Sequence, residues 1–203
     1  MTVWQAAARF VKRKLKENTL TYLENCRDCG DGEYLLALLK LYTAPTVFAA
    51  KTGTLVNLNA GGRDLYRCWR CNDSLRKAIP LAYLELENEK GTPLLYFYHP
   101  KRLKRRLARR DCRAFLENRG YVYTSAAEAL RELRARFRTG CPDEIGIFLG
   151  YPPADVQAFS EKREHRYVDY WKCYEHIFRS KVLFFLYDVS KHFVIQRTIY
   201  LPE

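Results

Sequence analysis

The chain has 203 residues, of which 48% are apolar and 29% are charged. This composition is that of a globular protein and excludes an intrinsically disordered chain. Lysine and arginine number 35 against 23 acidic residues, a formal net charge of +12, which favours an anionic partner without specifying its class. The length predicts a single domain over residues 1–203.

The first third of the chain predicts three helices and one short strand. Residues 4–23 read as a basic helix, and an Asp- and Gly-rich break follows it. Residues 33–42 are typical of a buried helix that ends near Pro45, because proline disfavours helix in the residue before it. Alternating apolar residues predict a strand over 55–58, and a helix follows over 64–78.

The middle of the chain predicts a hairpin and two basic helices. Residues 81–87 alternate in polarity and residues 94–98 form a continuous apolar run, which together predict a β-hairpin. Residues 101–110 predict a strongly basic helix. Asp111 begins the next helix and Gly120 ends it.

The last third mixes both kinds of element. An S-x-x-E capping box at 125–128 begins an amphipathic helix. Strands are predicted over 145–149 and 167–174, with a short helix over 153–159 between them. A final helix begins near residue 175 and continues past 185. Strands interspersed with helices predict an α/β or α+β domain, with a mixed sheet of about four to five strands flanked by helices.

The chain carries no pattern of export or membrane insertion. Its mildly apolar start precedes the basic run that contains Lys12 and Lys16, which is the reverse of a signal peptide. The apolar run 182–187 is about a third of the length of a membrane span. Seven cysteines cannot all pair internally, and we expect thiols in a cytoplasmic protein.

Most of the positive charge lies in residues 101–138, which hold 13 basic side chains and four acids. Such a surface could bind a nucleic-acid backbone, an acidic protein or an anionic membrane surface, or it could be a solvated face that keeps the protein soluble. The candidate residues for an anion or nucleic-acid surface are Lys101, Arg102, Lys104, Arg105, Arg106, Arg109, Arg131, Arg134 and Arg138.

Two C-x-x-C pairs, Cys26–Cys29 and Cys68–Cys71, raise the alternative of a structural zinc site with four thiolates. The 38 residues between the pairs exceed the usual spacing of about 15–20 in zinc ribbons. The second pair also lies in a helical pattern. Zinc is therefore one alternative, and reduced thiols without a metal are the other.

The segment 141–153 carries the most specific pattern. Gly146 lies within a predicted strand, where a glycine often marks the close approach of a ligand or of another backbone. Aromatic and charged residues nearby could hold a small polar ligand, and a tightly packed corner without ligand is the alternative. The candidate ligand-binding residues are Lys51, Glu144, Gly146, Tyr151, Trp171 and Lys172.

The same segment carries a family resemblance. The run Cys141-Pro-Asp-Glu-Ile-Gly-Ile-Phe-Leu-Gly-Tyr-Pro-Pro, followed by Asp155-Val156 and by Tyr170-Trp-Lys-Cys-Tyr, resembles the uncharacterised bacterial family called domain of unknown function 3793. The resemblance covers about residues 33–185, so that residues 1–32 precede it as an N-terminal helix and a cysteine-containing loop. It implies a cytosolic bacterial protein of about this size, and it implies no known reaction, substrate or cofactor.

These patterns favour a non-catalytic cytosolic binding domain for an anionic small ligand. One alternative is a domain that binds nucleic acid or an acidic partner through the basic helices of 101–138. Another is an enzyme that uses Glu144 or Cys141 together with Lys172.

Overall fold

A computed structural model describes residues 3–59 and 62–200, with side chains over 10–59 and 62–197. Within those residues, ten helices surround a three-stranded sheet and a two-stranded sheet in one domain. The predicted fold class of mixed helix and strand is confirmed. All of the strand pairs are antiparallel, and the five strands are divided between two sheets.

The helices are α1 (Val3–Asn25), α2 (Asp31–Phe48), α3 (Leu65–Cys71), α4 (Asp73–Ala78), α5 (Pro100–Leu107), α6 (Arg110–Asn118), α7 (Ala126–Phe137), α8 (Ile145–Leu149), α9 (Pro153–Ser160) and α10 (Ile177–Tyr200). The strands are β1 (Gly53–Asn57), β2 (Ala82–Glu87), β3 (Pro93–Tyr98), β4 (Tyr167–Val168) and β5 (Lys172–Cys173). Within the described residues, no helix combines the length and the apolar character needed to cross a bilayer.

Strand β3 lies between β1 and β2 and is buried on both faces. Leu94 and Tyr96 pack with α5–α9 on one face, and Leu95 and Phe97 pack with α2–α4 on the other. Since successive side chains of a strand point to opposite faces, a central strand covered on both sides must be apolar throughout. This accounts for the continuous apolar run of β3, and the predicted β2–β3 hairpin is confirmed.

Helix α10 lies outside these layers and packs against α1 and α2. Ile195 joins Leu41 in a small core between helices, while Phe184 and Tyr187 pack around Trp171. Helix α10 thus contacts the β4–β5 hairpin from one side and leaves its opposite side toward solvent.

The prediction of a strand over 145–149 is wrong, because these residues form helix α8. All five of its residues are buried, and a short run that is apolar throughout has no periodicity that separates strand from helix. Gly150 ends the helix in the left-handed region, with φ of 97°, a conformation that glycine adopts without steric cost.

Three other boundaries differ from those predicted. Helix α2 continues through Pro45 to Phe48, because buried packing on both sides of the proline offsets the one lost hydrogen bond. The helix over 64–78 divides at Asn72, whose side chain caps α4 by accepting from the Leu75 amide at 3.1 Å. The strand over 167–174 is a hairpin of two-residue strands.

The capping box of α7 is confirmed, with Ser125 and Glu128 bonding reciprocally.

Candidate functional site

A concave recess of about 380 Å³ lies between α8, α9 and β5. We call it the aromatic recess. It is lined by Cys141, Pro142, Asp143, Ile145, Gly146, Tyr151, Asp155, Val156, Phe159, Trp171 and Lys172. Four of the six candidate ligand-binding residues, namely Gly146, Tyr151, Trp171 and Lys172, therefore meet at one surface.

The turn between α8 and α9 shapes one side of the recess. The amide of Tyr151 donates to the Gly146 carbonyl at 2.8 Å, which folds Tyr151 back over α8. A Cβ atom on Gly146 would lie 2.7 Å from Cγ2 of Val156 and 3.2 Å from Cδ2 of Tyr151. Glycine at this position therefore allows the two helices to pack closely, rather than making room for a ligand.

An aromatic stack also lines the recess. The rings of Tyr151 and Trp171 lie 4.8 Å apart at an interplanar angle of 25°, and Phe184 meets Trp171 edge-on at 4.3 Å. The Trp171 indole donates to Asp155 at 2.9 Å, and the amides of Tyr174 and Glu175 donate to the same carboxylate at 2.9 and 3.1 Å. Because these bonds hold Trp171 in place, the wall is formed before any ligand arrives.

Charged and nucleophilic groups lie at the mouth. Lys172 is exposed and places its ammonium 5.3 Å from the centre of the Phe159 ring. Asp143 is half-buried, and among the described residues neither Asp143 nor Lys172 forms an ion pair. Cys141 is exposed, but partial desolvation of its sulfur, with Asp143 and Glu144 nearby, raises the pKa of the thiol, so the thiolate is disfavoured.

Glu144 does not share the recess with Lys172, contrary to the sequence-based expectation. Its buried carboxylate accepts from Arg136 at 3.0 Å and lies 4.0 Å from Arg119. A buried carboxylate requires cations and hydrogen-bond donors, and here Arg136 of α7 and Arg119, which follows α6, supply them. Glu144 thus ties α8 to α7.

Lys51 also lies elsewhere, at the end of α2 beside β1. Its side chain is 7% exposed, and its ammonium donates to Thr54 at 3.3 Å. Burial, with Lys191 nearby, lowers the pKa of Lys51 to about 7. A lysine with one neutral partner in the interior is costly in its charged form.

The basic segment 101–138 is partly structural. The Arg102 guanidinium donates to the carbonyls of Thr46, Ala49 and Lys51 at 2.6, 2.7 and 3.2 Å. Arg106 likewise donates to the Ile147 and Tyr151 carbonyls. Arg134 donates to the backbone carbonyl of Glu85. Arg109 forms an ion pair with Asp111, and Arg131 forms one with Glu128. Lys101, Lys104, Arg105 and Arg138 are exposed.

The two C-x-x-C pairs lie at neighbouring positions around the start of α2. The Sγ atom of Cys68 is 3.9 Å from where a Cβ on Gly32 would lie, and Arg63 donates to the Cys29 carbonyl at 3.1 Å. Nevertheless, the part of the chain that the structure describes holds no group of three or more histidine, cysteine or acidic residues arranged to bind a metal ion. The described residues therefore do not supply the four-thiolate zinc geometry.

Sequence reasoning missed two residues that shape the recess. Asp155 holds the tryptophan wall, and its only sequence signal is its place after Pro152-Pro153 in the motif that carries the family resemblance. Phe159 lies one helical turn later and forms the rim beneath Lys172. A 43% exposed phenylalanine carries no pattern that distinguishes it from a surface residue.

Comparisons with known proteins agree with the motif. No curated protein and no solved structure shows a significant match to this chain. A family model described as protein of unknown function (DUF3793) matches residues 39–201. The match covers the sheet, the aromatic recess and α10, well over half of the chain. The chain therefore belongs to the DUF3793 family of proteins of unknown function.

Proposed function

We propose that the protein binds a small molecule that has a flat apolar body and an anionic group, held in the aromatic recess. The observation that carries this proposal is an apolar recess lined by aromatic side chains, with the ammonium of Lys172 at its mouth and no ion-pair partner for that ammonium among the described residues. Small-molecule sites are typically concave and apolar, with a few polar groups that orient the ligand.

The shape of the recess supports a flat ligand. The stacked side chains of Tyr151 and Trp171 line the recess, and Val156 and Ile145 supply aliphatic surface beside them. A volume of about 380 Å³ lies at the lower end of the range for small-molecule sites. A ring system of two or three fused or linked rings would bury most of its area there.

The charge at the mouth supports an anionic group. Lys172 has no carboxylate partner among the described residues, and its exposed ammonium lies 5.3 Å from the centre of the Phe159 ring at the rim. A hydrogen bond to a charged group contributes about 1.5–3 kcal/mol, and exposure to solvent places Lys172 at the lower end of that range. Asp143, half-buried on the same recess, could accept a hydrogen bond from a donor on the ligand.

Binding without catalysis fits the recess better than the alternative of an enzyme. The carboxylate of Glu144 is engaged by Arg136 and Arg119, and partial desolvation with two nearby carboxylates disfavours the thiolate form of Cys141. A general base or nucleophile needs a titratable partner within hydrogen-bond reach. No hydrogen bond or ion pair joins Lys172 to Cys141 or Glu144 within the described residues.

Two matched dyes test the proposal. Anilinonaphthalene sulfonate carries a flat aromatic body with an anionic group, and phenylnaphthylamine is its uncharged counterpart. By fluorescence titration and calorimetry, we expect the native protein to bind the sulfonate about tenfold more tightly, since one charge-assisted contact of ~1.4 kcal/mol gives that factor.

Two variants separate the contributions to this binding. Lys172→Glu removes the preference for the sulfonate and leaves the affinity for phenylnaphthylamine unchanged, whereas Phe159→Ala weakens both dyes because it removes a wall. Lys101→Glu makes the same change in net charge at an exposed residue outside the recess and serves as the control. Equal loss of sulfonate binding in Lys101→Glu and Lys172→Glu would refute the proposal, because nonspecific charge would then explain it.

A further inference from the structure

Helix α10 carries an apolar stripe that the other described elements cover only in part. Its residues are Phe178, Val182, Phe185, Leu186, Val189 and Phe193, which we call the α10 stripe. Phe178 is 82% exposed, and the others are between 39% and 46% exposed. At 100° per residue, all six lie within an arc of about 100°, so they form one continuous face.

The stripe is separate from the face that α10 uses in the core. Ser180, Phe184, Tyr187 and Asp188 point inward and are buried, and α1 and α2 cover that side. Six large apolar side chains along one exposed helix face are more than the scattered single residues that a monomer normally exposes. The pattern is therefore that of an interface.

The spacing of the stripe is symmetric. From Phe178 to Phe193 the steps are four, three, one, three and four residues, and they read the same in either direction. Reversal about the midpoint between Phe185 and Leu186 exchanges Phe178 with Phe193 and Val182 with Val189. An interface with twofold symmetry requires this kind of self-complementary surface.

Charge at the two ends fits the same arrangement. Glu175 is exposed two residues before the first residue of α10, and Arg197 is exposed near the other end of the helix. In an antiparallel pair of α10 helices, Glu175 of one copy would lie beside Arg197 of the other, and twofold symmetry would produce this pair twice. Asp188 is the one acid within α10 and is buried, so no carboxylate interrupts the stripe.

We infer that two copies of this chain associate through antiparallel pairing of their α10 stripes. The six residues extend over about 22 Å of helix, and Phe48, 53% exposed and 5.1 Å from the Phe193 ring, enlarges the apolar face. A single pair of helices buries less than the ~800 Å² per partner of a standard interface. A dissociation constant on the order of micromolar is therefore expected.

The dependence of binding on salt concentration distinguishes a second copy of this chain from an anionic partner. Each copy carries a net charge of +12, so the two copies repel each other, and salt screens that repulsion. Salt also weakens the attraction within the two exposed Glu175–Arg197 pairs. This loss is smaller than the relief of repulsion between the copies, because each exposed pair contributes about 1 kcal/mol or less. Dimerisation is therefore expected to strengthen as salt is raised, whereas binding to a lipid or nucleic-acid polyanion would weaken.

Sedimentation equilibrium of the full chain over a wide concentration range tests the inference. We expect a monomer–dimer equilibrium that Leu186→Lys weakens at least tenfold, because each lysine would lie beside Phe185 of the other copy near the symmetry axis. Leu20→Lys is the matched control, an exposed leucine of α1 outside the stripe, and it should leave the equilibrium unchanged. Val182→Lys provides a second stripe variant if circular dichroism shows that the first is misfolded.

Charge exchange tests the antiparallel arrangement. Glu175→Arg and Arg197→Glu should each weaken the dimer by about threefold or more, and the double variant should restore the native constant. The inference is overturned by a monomer at every concentration, by a dimer that Leu186→Lys leaves intact, or by a double variant as weak as the single ones. Stripe-dependent cosedimentation of a monomer with phosphatidylglycerol vesicles would also overturn it and identify a membrane as the occupant.

Discussion

At the scale of single residues, the charged groups that lie in the interior hold elements of the fold together. The exposed Lys172 is the charged group that we propose for ligand binding. Glu144 and Arg102 bond to interior partners, whereas Lys172, at the rim of the aromatic recess, forms no ion pair with any residue that the structure describes. Lys51 is the exception, because within the described part of the chain its buried ammonium has the Thr54 hydroxyl as its one hydrogen-bond partner. Residue type alone therefore does not reveal which charges are available to a ligand.

Lys51 makes folding stability depend on pH. Burial lowers its pKa to about 7 in the folded chain, from 10.5. Between these values the unfolded chain binds more protons than the folded one, so the free energy of unfolding rises with pH through this window. Lys51→Met removes the cost of burying the ammonium. We expect it to stabilise the protein by more at about pH 6 than at about pH 9 in urea titrations.

Lys40→Met is the control for this prediction. Lys40 is an exposed residue of α2, and its substitution should change stability by less than about 0.5 kcal/mol at either pH. A Lys51→Met effect of the same size at both pH values would contradict the prediction, because packing rather than ionisation would then explain it.

At the scale of elements, close packing between α8 and α9 defines the aromatic recess. The two helices are short and joined at Gly150, and their contact depends on the absence of a side chain at Gly146. Arg102 and Arg106 of α5 hold the end of α2 and the α8–α9 segment through backbone carbonyls. The recess is thus shaped by several elements that are distant in sequence.

Gly146→Ala tests this packing. The new Cβ would lie 2.7 Å from Val156, and overpacking of this kind costs about 1–3 kcal/mol, which outweighs the helix propensity gained by alanine. We expect destabilisation in urea titrations, and combination with Val156→Ala should be less destabilising than the sum of the two single changes by about 1 kcal/mol.

Gly32→Ala is the matched control within α2. The nearest atoms to its new Cβ would be 3.9 Å away, so we expect no loss of stability and a gain of up to about 1 kcal/mol. Additive effects of Gly146→Ala and Val156→Ala would show that the close contact is not the cause.

At the scale of the whole molecule, the basic side chains fall into two groups. Some bond to backbone carbonyls within the fold, and others are exposed to solvent. Arg102, Arg106 and Arg134 donate to backbone carbonyls of other elements. Lys101, Lys104 and Arg105 remain exposed on α5. The net charge of +12 thus overstates the surface available to a polyanion.

This division predicts a shallow salt dependence for nucleic-acid binding. If α5 contacts phosphates through its three exposed cations, the logarithm of the association constant for duplex DNA should fall with the logarithm of salt at a slope near −3. Fluorescence anisotropy over a salt series measures this slope, and Lys104→Glu with Arg105→Glu should abolish the binding. A slope near −6 or steeper would mean that the wider basic segment contributes, as the sequence alone suggested.

The sequence by itself determined those elements whose signals are local. The capping box at Ser125, the β2–β3 hairpin and the start of α10 depend on hydrogen bonds and periodicity within about ten residues. The resemblance carried by the motif around Gly146 likewise identified the family.

Only the tertiary structure decided which residues share a site. It placed Gly146, Tyr151, Trp171 and Lys172 around one recess, and it directed Glu144 and Lys51 elsewhere. It also made 145–149 a helix and left one side of α10 exposed. These outcomes depend on which distant segments pack together, because burial and the partners of a charge are properties of the folded contacts and not of local sequence.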